Sequence, residues 1–159
     1  MKKRILALSL ALLLLALPLF TACDNDDETP PAATFTPPPF DEGAQTGTPE
    51  VDSALGWSEV DANGVYKVSV CGVVKVENKK ADVYLTNPEG NNVWLKLRIL
   101  DAEGNILGQT GLIKPGEYVR TITFDTVPDA GSKIVMKVMG YVPDTYQSAG
   151  AVSLNTVIS

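Results

Sequence analysis

The chain of 159 residues contains no histidine, only two cysteines and few aromatic residues. Without histidine it lacks the commonest general base and the commonest transition-metal ligand of proteins. Ser-His-Asp and Cys-His catalytic arrangements are therefore excluded, and no cysteine spacing fits a zinc site. The glycine-containing turns also lack the Gly-Lys-Ser/Thr ending of a phosphate-binding loop. We therefore expect no metal and no organic cofactor, and we predict that the chain is not an enzyme.

Positive charge is also scarce, since 13 Lys and Arg residues stand against 19 Asp and Glu residues, for a formal net charge of −6. Three of the basic residues, at positions 2–4, lie in a segment that we expect to be removed. A chain this acidic repels nucleic acid and anionic membrane surfaces, so nucleic acid is not an expected partner. In the simplest interpretation the charge only keeps the protein soluble.

Residues 1–22 have the layout of a secretory signal. Lys2, Lys3 and Arg4 precede an almost wholly apolar run from residue 5 to residue 20. A membrane-spanning helix usually needs about 20 apolar residues, and Pro18 would interrupt a helix near its end. Export followed by cleavage is therefore favoured over a permanent membrane span.

The end of the apolar run, Phe20-Thr21-Ala22-Cys23, resembles the lipobox of bacterial lipoproteins. The resemblance covers the first 23 residues, and Phe20 departs from the leucine that is commoner in the motif. It implies that Cys23 carries the lipid anchor (a diacylglycerol and palmitate-type acyl chains) and becomes the first residue of the mature protein. The expected location is the extracytoplasmic side of the cell membrane, where two or more acyl chains hold a protein stably. An ordinary cleaved signal or an uncleaved anchor is the alternative.

Residues 23–50 have the composition of a disordered tether. The acidic run "DNDDE" is followed by sequence rich in Pro, Thr and Gly, and residues 24–50 hold seven of the 19 acidic residues and no Lys or Arg. Such a segment cannot bury enough apolar surface to fold, and its proline-rich parts extend at about 3.1 Å per residue. We expect a spacer that lifts a folded module off the bilayer. Phe35 and Phe40 either dock on that module or have no role.

Residues 51–159 predict an all-β module of about seven or eight short strands. Strict alternation is clearest at residues 93–100, where apolar residues alternate with a face open to water. Only residues 53–60 also allow a helix. Strands of this kind, spaced by turns over about 110 residues, are typical of an immunoglobulin-like antiparallel sandwich. Turn sequences separate the strands at residues 87–90, 101–104 and 114–116.

The strand rhythm and the turn "GLIKPGEY", residues 111–118, are similar to those of small surface lipoproteins of Firmicutes that carry an immunoglobulin-like module. This resemblance implies the sandwich fold and a position on the cell surface. It assigns no functional residue. The paired core cysteines of antibody-type domains are missing.

Cys71 lies in a valine-rich strand without an expected disulfide partner, because Cys23 is assigned to lipidation. We interpret Cys71 as a small buried hydrophobe. A nucleophilic thiolate would need an adjacent base. An intermolecular disulfide is the other alternative.

Three aromatic residues, Trp94, Tyr141 and Tyr146, are the candidate ligand contacts, and the turn-rich loop Gly140–Gly150 is the candidate contact loop. Alternatively, Trp94 only covers a sheet edge and Tyr141 only caps the core. We predict a non-catalytic binding or adhesion module whose partner is an unidentified protein or glycan. The alternatives are an accessory subunit of a cell-envelope complex and a hydrolase with paired carboxylates.

Overall fold

Nearly all regular structure in the computed structural model, which describes residues 35–159, is β-strand. The strands form two antiparallel sheets that enclose one hydrophobic core, so the predicted all-β antiparallel sandwich is confirmed. The predicted signal segment, Cys23 and the first part of the predicted tether lie outside the described residues. From residue 35 onward, no helix is long and apolar enough to cross a membrane.

The described residues contain ten strands, more than the seven or eight expected, because two very short strands carry no alternation that the sequence reveals. In chain order the strands are β1 (Gln45–Thr46), β2 (Ser58–Ala62), β3 (Tyr66–Val70), β4 (Lys75–Glu77), β5 (Lys80–Asn87), β6 (Trp94–Leu100), β7 (Ile106–Gln109), β8 (Glu117–Thr123), β9 (Lys133–Tyr141) and β10 (Ser148–Val157).

The first sheet has six strands in the order β1-β8-β5-β3-β2, with β4 also paired to β5, and the second has four in the order β10-β9-β6-β7. The central strands of the four-stranded sheet, β6 and β9, pair in continuous register from Trp94 opposite Tyr141 to Leu100 opposite Val135. This long-range pairing fixes which outward side chains of the two strands are neighbours.

The core follows the predicted alternation. The inward residues of β6, Leu95, Leu97 and Ile99, are fully buried, because the side chains of a strand project alternately to its two faces. The outward face is less open than predicted, since Lys96 is only 6% exposed. The largest fully buried side chains come from both sheets and from the segments that join them; they include Phe124, Leu85, Leu112, Ile113, Ile134 and Met136.

The ambiguous segment at residues 53–60 contains a 3-10 turn of only three residues, Ser53–Leu55, and then the start of β2. Asp52 caps the turn by accepting a hydrogen bond from the backbone N–H of Ala54 at 2.9 Å. Gly56 ends the turn in a left-handed conformation, which glycine adopts without a steric penalty. The helix that the sequence allowed here is therefore limited to a single turn.

The compact unit begins at Thr36, earlier than the boundary at Val51 that the composition predicted. β1 pairs with β8, and Phe40 forms a parallel bridge with Leu112. Proline does not prevent this docking, because the carbonyl of Pro39 accepts a hydrogen bond from the N–H of Leu112 at 2.9 Å. Composition shows that such a segment cannot fold by itself, but it does not show that a folded neighbour offers it backbone partners.

The predicted hairpin turn at residues 101–104 is confirmed. Gly104 has a φ of 88°, and its N–H donates to the carbonyl of Asp101 at 3.2 Å. The carboxylate of Asp101 accepts hydrogen bonds from the side chain and the N–H of Asn105 and from the N–H of Glu103. These bonds, with the Asn105 side chain as the largest contribution, lower the pKa of Asp101.

Candidate functional site

Trp94 and Tyr141, two of the three predicted contact residues, lie side by side at one end of the four-stranded sheet. Trp94 begins β6 and is in register with Tyr141, the last residue of β9. Residues directly opposite each other in antiparallel strands project from the same face. Both residues are half-buried, and the Tyr141 hydroxyl donates to the sulfur of Met139 at 3.8 Å. Strand pairing thus presents both rings on the outer face of the sheet.

The loop after β9 brings the third predicted residue, Tyr146, against Trp94. The loop is closed by two backbone hydrogen bonds, from Val142 N–H to the Gln147 carbonyl at 2.8 Å and from Tyr146 N–H to the Val142 carbonyl at 2.9 Å. The ring centroids of Trp94 and Tyr146 are 5.3 Å apart with an interplanar angle of 61°. This is the edge-to-face arrangement that aromatic pairs prefer. The three predicted residues therefore belong to one place on the surface.

Phe40 adds a ring from the N-terminal side of the compact unit. Its ring centroid is 4.9 Å from that of Trp94, at an interplanar angle of 75°, and the residue is 39% exposed. The ammonium of Lys114 lies 4.8 Å from the Phe40 centroid, within the range of a cation–π interaction. We term Phe40, Trp94 and Tyr146 the aromatic cluster. Three segments that are distant in sequence thus meet around Trp94.

A clamp on the chain holds Phe40 in position. The N–H of Asp41 donates to the carbonyl of Leu112 at 2.9 Å, and the Asp41 carboxylate accepts a hydrogen bond from the N–H of Gly111 at 2.8 Å. A Cβ atom at position 111 would lie only 2.7 Å from the carbonyl carbon of Phe40. Only glycine therefore permits this close approach of the two backbones.

Every charged residue on the strands of the four-stranded sheet is a cation. Lys96 and Arg98 occupy successive outward positions on β6, and Arg98 is in register with Lys137 on β9. Lys133, at the start of β9, shares the face of Lys137 because it lies four residues away on the same strand. We term Lys96, Arg98, Lys133 and Lys137 the basic face, and it adjoins the aromatic cluster at Trp94.

No carboxylate within residues 35–159 forms an ion pair with the basic face. The ion pairs found in that part of the chain all lie on the six-stranded sheet; they are Lys67–Glu59, Lys75–Glu77 and Arg120–Asp82. Burial lowers the pKa of Lys96, and the neighbouring Arg98 lowers it further. Like charges on adjacent positions of a sheet destabilise it. Lys96 therefore lies beside a like charge without a carboxylate partner in the described part of the chain.

Cys71 does not have the surroundings of a reactive thiol. The residue is fully buried, and burial together with the charge of Asp82 raises the pKa of its thiol to about 12. At neutral pH the thiol is therefore protonated, whereas the thiolate is the nucleophilic form. Among the residues that the structure describes, no group of three or more Cys, Asp or Glu side chains is placed to hold a metal ion.

The other tryptophan, Trp57, directly precedes β2 of the six-stranded sheet and, with Glu59 and Glu89, lines a groove of about 410 Å³. The indole N–H of Trp57 donates to the carbonyl of Tyr84 at 3.0 Å, and Glu59 is paired with Lys67 at 2.8 Å. Two polar groups of this groove, the Trp57 indole N–H and the Glu59 carboxylate, are thus engaged within the protein. Unlike Trp94, Trp57 has no aromatic neighbour in ring contact among residues 36–159.

Compared with known proteins, the sequence matches no protein-family model and no curated protein.

Sequence reasoning did not assign Phe40, Lys114 or the basic face to the site. The alternation in β6 and β9 does place Lys96, Arg98 and Lys137 on outward positions, so part of the signal was present. What the sequence does not contain is the register between the two strands, which makes these cations neighbours.

Proposed function

We propose that the chain is a membrane-anchored, extracytoplasmic binding protein without catalytic activity, and that the aromatic cluster is its contact site. In this proposal Cys23 supplies the lipid anchor, the acidic segment that follows it acts as a spacer, and the sandwich presents the cluster. The observation that carries the proposal is the convergence of Phe40, Trp94 and Tyr146 at one partly exposed place.

Aromatic rings suit this role because they offer a large apolar area and lose little conformational entropy when they bind. Single exposed apolar residues are normal on a protein surface. Contiguous ones more often mark a partner site. The clamp on Phe40 and the closed loop around Tyr146 hold two of the rings in place before any partner arrives, which reduces the cost of ordering them on binding.

An accessory subunit of a cell-envelope complex is the second form of this proposal. It uses the same cluster to dock on an envelope protein rather than on a glycan. The two forms of the proposal have different partners but the same contact residue, Trp94, so one pair of variants tests both.

The test compares the full-length chain in detergent with its Trp94→Ala and Trp57→Ala variants. Both variants lose an indole, Trp94→Ala from β6 of the four-stranded sheet and Trp57→Ala from the segment that precedes β2 of the other sheet. Binding to a glycan panel and to solubilised envelope proteins is measured by biolayer interferometry. A central aromatic contact is worth about 2 kcal/mol or more, or about 30-fold in affinity. Trp94→Ala should lose this affinity and Trp57→Ala should retain it. Equal binding by the two variants would contradict the proposed site.

The anchor is tested separately by cell fractionation. Cys23→Ser should move the protein from the membrane fraction to the soluble extracytoplasmic fraction, because no acyl chain can then be attached. Membrane retention equal to that of the wild type would contradict the lipid anchor.

A further inference from the structure

We propose that the basic face binds a carboxylate-bearing polysaccharide, whose sugar rings stack on the aromatic cluster and whose carboxylates pair with Lys96, Arg98 and Lys137. This inference rests on the proposed function and names the chemical class of its ligand.

The cluster and the cations form one track along β6. Trp94, Lys96 and Arg98 are at alternate positions of the strand, so neighbours on the track are about 6.6–6.8 Å apart and the whole track spans about 13 Å. Lys137 lies beside Arg98 on β9, one strand spacing away. A flexible polymer with an apolar ring face and a charge in each repeating unit can contact the indole and the cations at the same time.

The distribution of charge indicates an anionic ligand. The strands of the six-stranded sheet carry five acidic residues, whereas those of the four-stranded sheet carry none. Lys96 is only 6% exposed and has no acidic partner within residues 35–159. No buried side-chain nitrogen within residues 35–159 lacks a hydrogen-bond partner, so the stem of Lys96 is covered while its ammonium reaches solvent beside Arg98. Arg98 already donates from Nε to the Gln109 side-chain oxygen at 3.2 Å, but a bound carboxylate would supply the negative charge that these cations lack.

The position of the cations within the sheet favours a polysaccharide over a peptide. An extended peptide usually adds to a free sheet edge through backbone hydrogen bonds. β6 and β9, however, are the central strands, and each is paired on both sides. A ligand on their outer face must be recognised by side chains, as sugar rings and carboxylates are.

The total charge disfavours nucleic acid as the ligand. Residues 35–159 contain 15 acidic and 10 basic residues, so the compact unit as a whole repels polyanions. Duplex DNA carries a phosphate about every 1.7 Å along its axis and would meet this repulsion at full strength. A polymer with one carboxylate in each sugar, or in every second sugar, is less densely charged. Such a ligand can use the basic face with a smaller electrostatic cost.

The experiment uses the full-length chain in detergent and oligomers of galacturonate, alginate and hyaluronate, with the methyl esters of the same oligomers as neutral controls. Affinity is measured by isothermal titration calorimetry. The charge variant is Lys96→Gln/Arg98→Gln/Lys137→Gln. The matched control, Lys67→Gln/Lys75→Gln/Arg120→Gln, removes the same charge from the other sheet.

We expect at least one acidic oligomer to bind the wild type. Methyl esterification or the charge variant should weaken this binding about tenfold, since three partly exposed ion pairs are lost. The matched control should bind like the wild type. Raised salt should weaken binding of the acidic oligomer but not of its ester.

The inference would be overturned by equal affinity for acid and ester, by equal weakening in the two triple variants, or by no binding of any acidic oligomer. Binding of neutral oligomers that depends on Trp94 but not on the cations would overturn the inference and leave the proposed contact site in place. Stronger binding of single-stranded DNA through the same cations would replace the polysaccharide by a nucleic acid.

Discussion

Replacement of Lys96 by methionine is expected to stabilise the protein. Lys96 is 6% exposed, lies opposite Met139 and has two cations, Arg98 and Lys137, as neighbours on the same face. Methionine keeps the unbranched stem of lysine and removes its charge. A like-charge neighbour in a sheet costs roughly 0.2–1 kcal/mol. Relief from two such neighbours and from partial desolvation should therefore contribute about 1 kcal/mol, which raises Tm by about 4 °C in a domain of this size.

The pH dependence of this gain follows from the titration of Lys96. Burial, and secondly Arg98, lower the pKa of Lys96 in the folded protein. Below that pKa, lysine 96 is charged in both the folded and the unfolded chain, and the wild type carries the full cost. As the pH rises from the folded pKa towards the usual value, the folded chain loses the proton first and the wild type gains stability. The difference in Tm between variant and wild type should therefore narrow over this alkaline interval.

The assay is thermal unfolding of the full-length chain, followed by circular dichroism at neutral and alkaline pH. The matched control is Lys67→Met, because Lys67 is exposed and is paired with Glu59 at 2.8 Å. The control should leave Tm unchanged or lower it. A fall in Tm for Lys96→Met would contradict this expectation, since it would mean that the ammonium has a favourable partner. If Lys96→Met is more stable than the wild type but binds the acidic oligomers more weakly, Lys96 shows the trade-off between stability and binding that is expected of a functional residue.

Three further predictions concern the parts of the fold that support the site. Gly111→Ala should destabilise the protein by about 1–3 kcal/mol through overpacking and should accelerate proteolysis of the N-terminal segment of the compact unit; unchanged proteolysis would argue against the clamp. Asn87→Ala removes the amide that donates to two buried carbonyls at 2.9 and 3.1 Å, so it should cost about 2–4 kcal/mol in urea unfolding, whereas Asn92→Ala, at an exposed position, should cost little. In a Cys23→Ser background, Cys71 should react with a thiol reagent at pH 8 only after unfolding, because its thiol has a raised pKa of about 12; rapid reaction of the folded chain would show that the thiol is accessible and ionised.

Local sequence patterns were sufficient to predict the sandwich and the outward positions on β6 that belong to the site. The strict alternation around Leu97 and the Asp101–Gly104 turn depend on neighbours in sequence, and the structure confirms both. The fold class also follows from these short-range rules, since alternating strands with turns between them bury one face each.

The features of the site that the sequence could not predict depend on contacts between residues that are distant along the chain. The contact of Trp94 with Phe40 and Tyr146 joins three distant segments, and no local rule specifies such a meeting. The burial of Lys96 likewise depends on the register of β6 with β9, whereas alternation alone predicts a fully solvated lysine. The extension of the compact unit to Thr36 depends on the edge of β8, a strand distant in sequence, with which β1 pairs.

The most direct test of a membrane-held binding module uses spheroplasts, which expose the extracytoplasmic side of the membrane. Cells that express the wild type, Cys23→Ser, Trp94→Ala or Trp57→Ala are converted to spheroplasts and mixed with fluorescent beads that carry a glycan panel. Bead capture is measured by flow cytometry. We expect that the wild type and Trp57→Ala retain beads and that Cys23→Ser and Trp94→Ala do not. Capture by Trp94→Ala or Cys23→Ser at the level of the wild type would contradict this expectation.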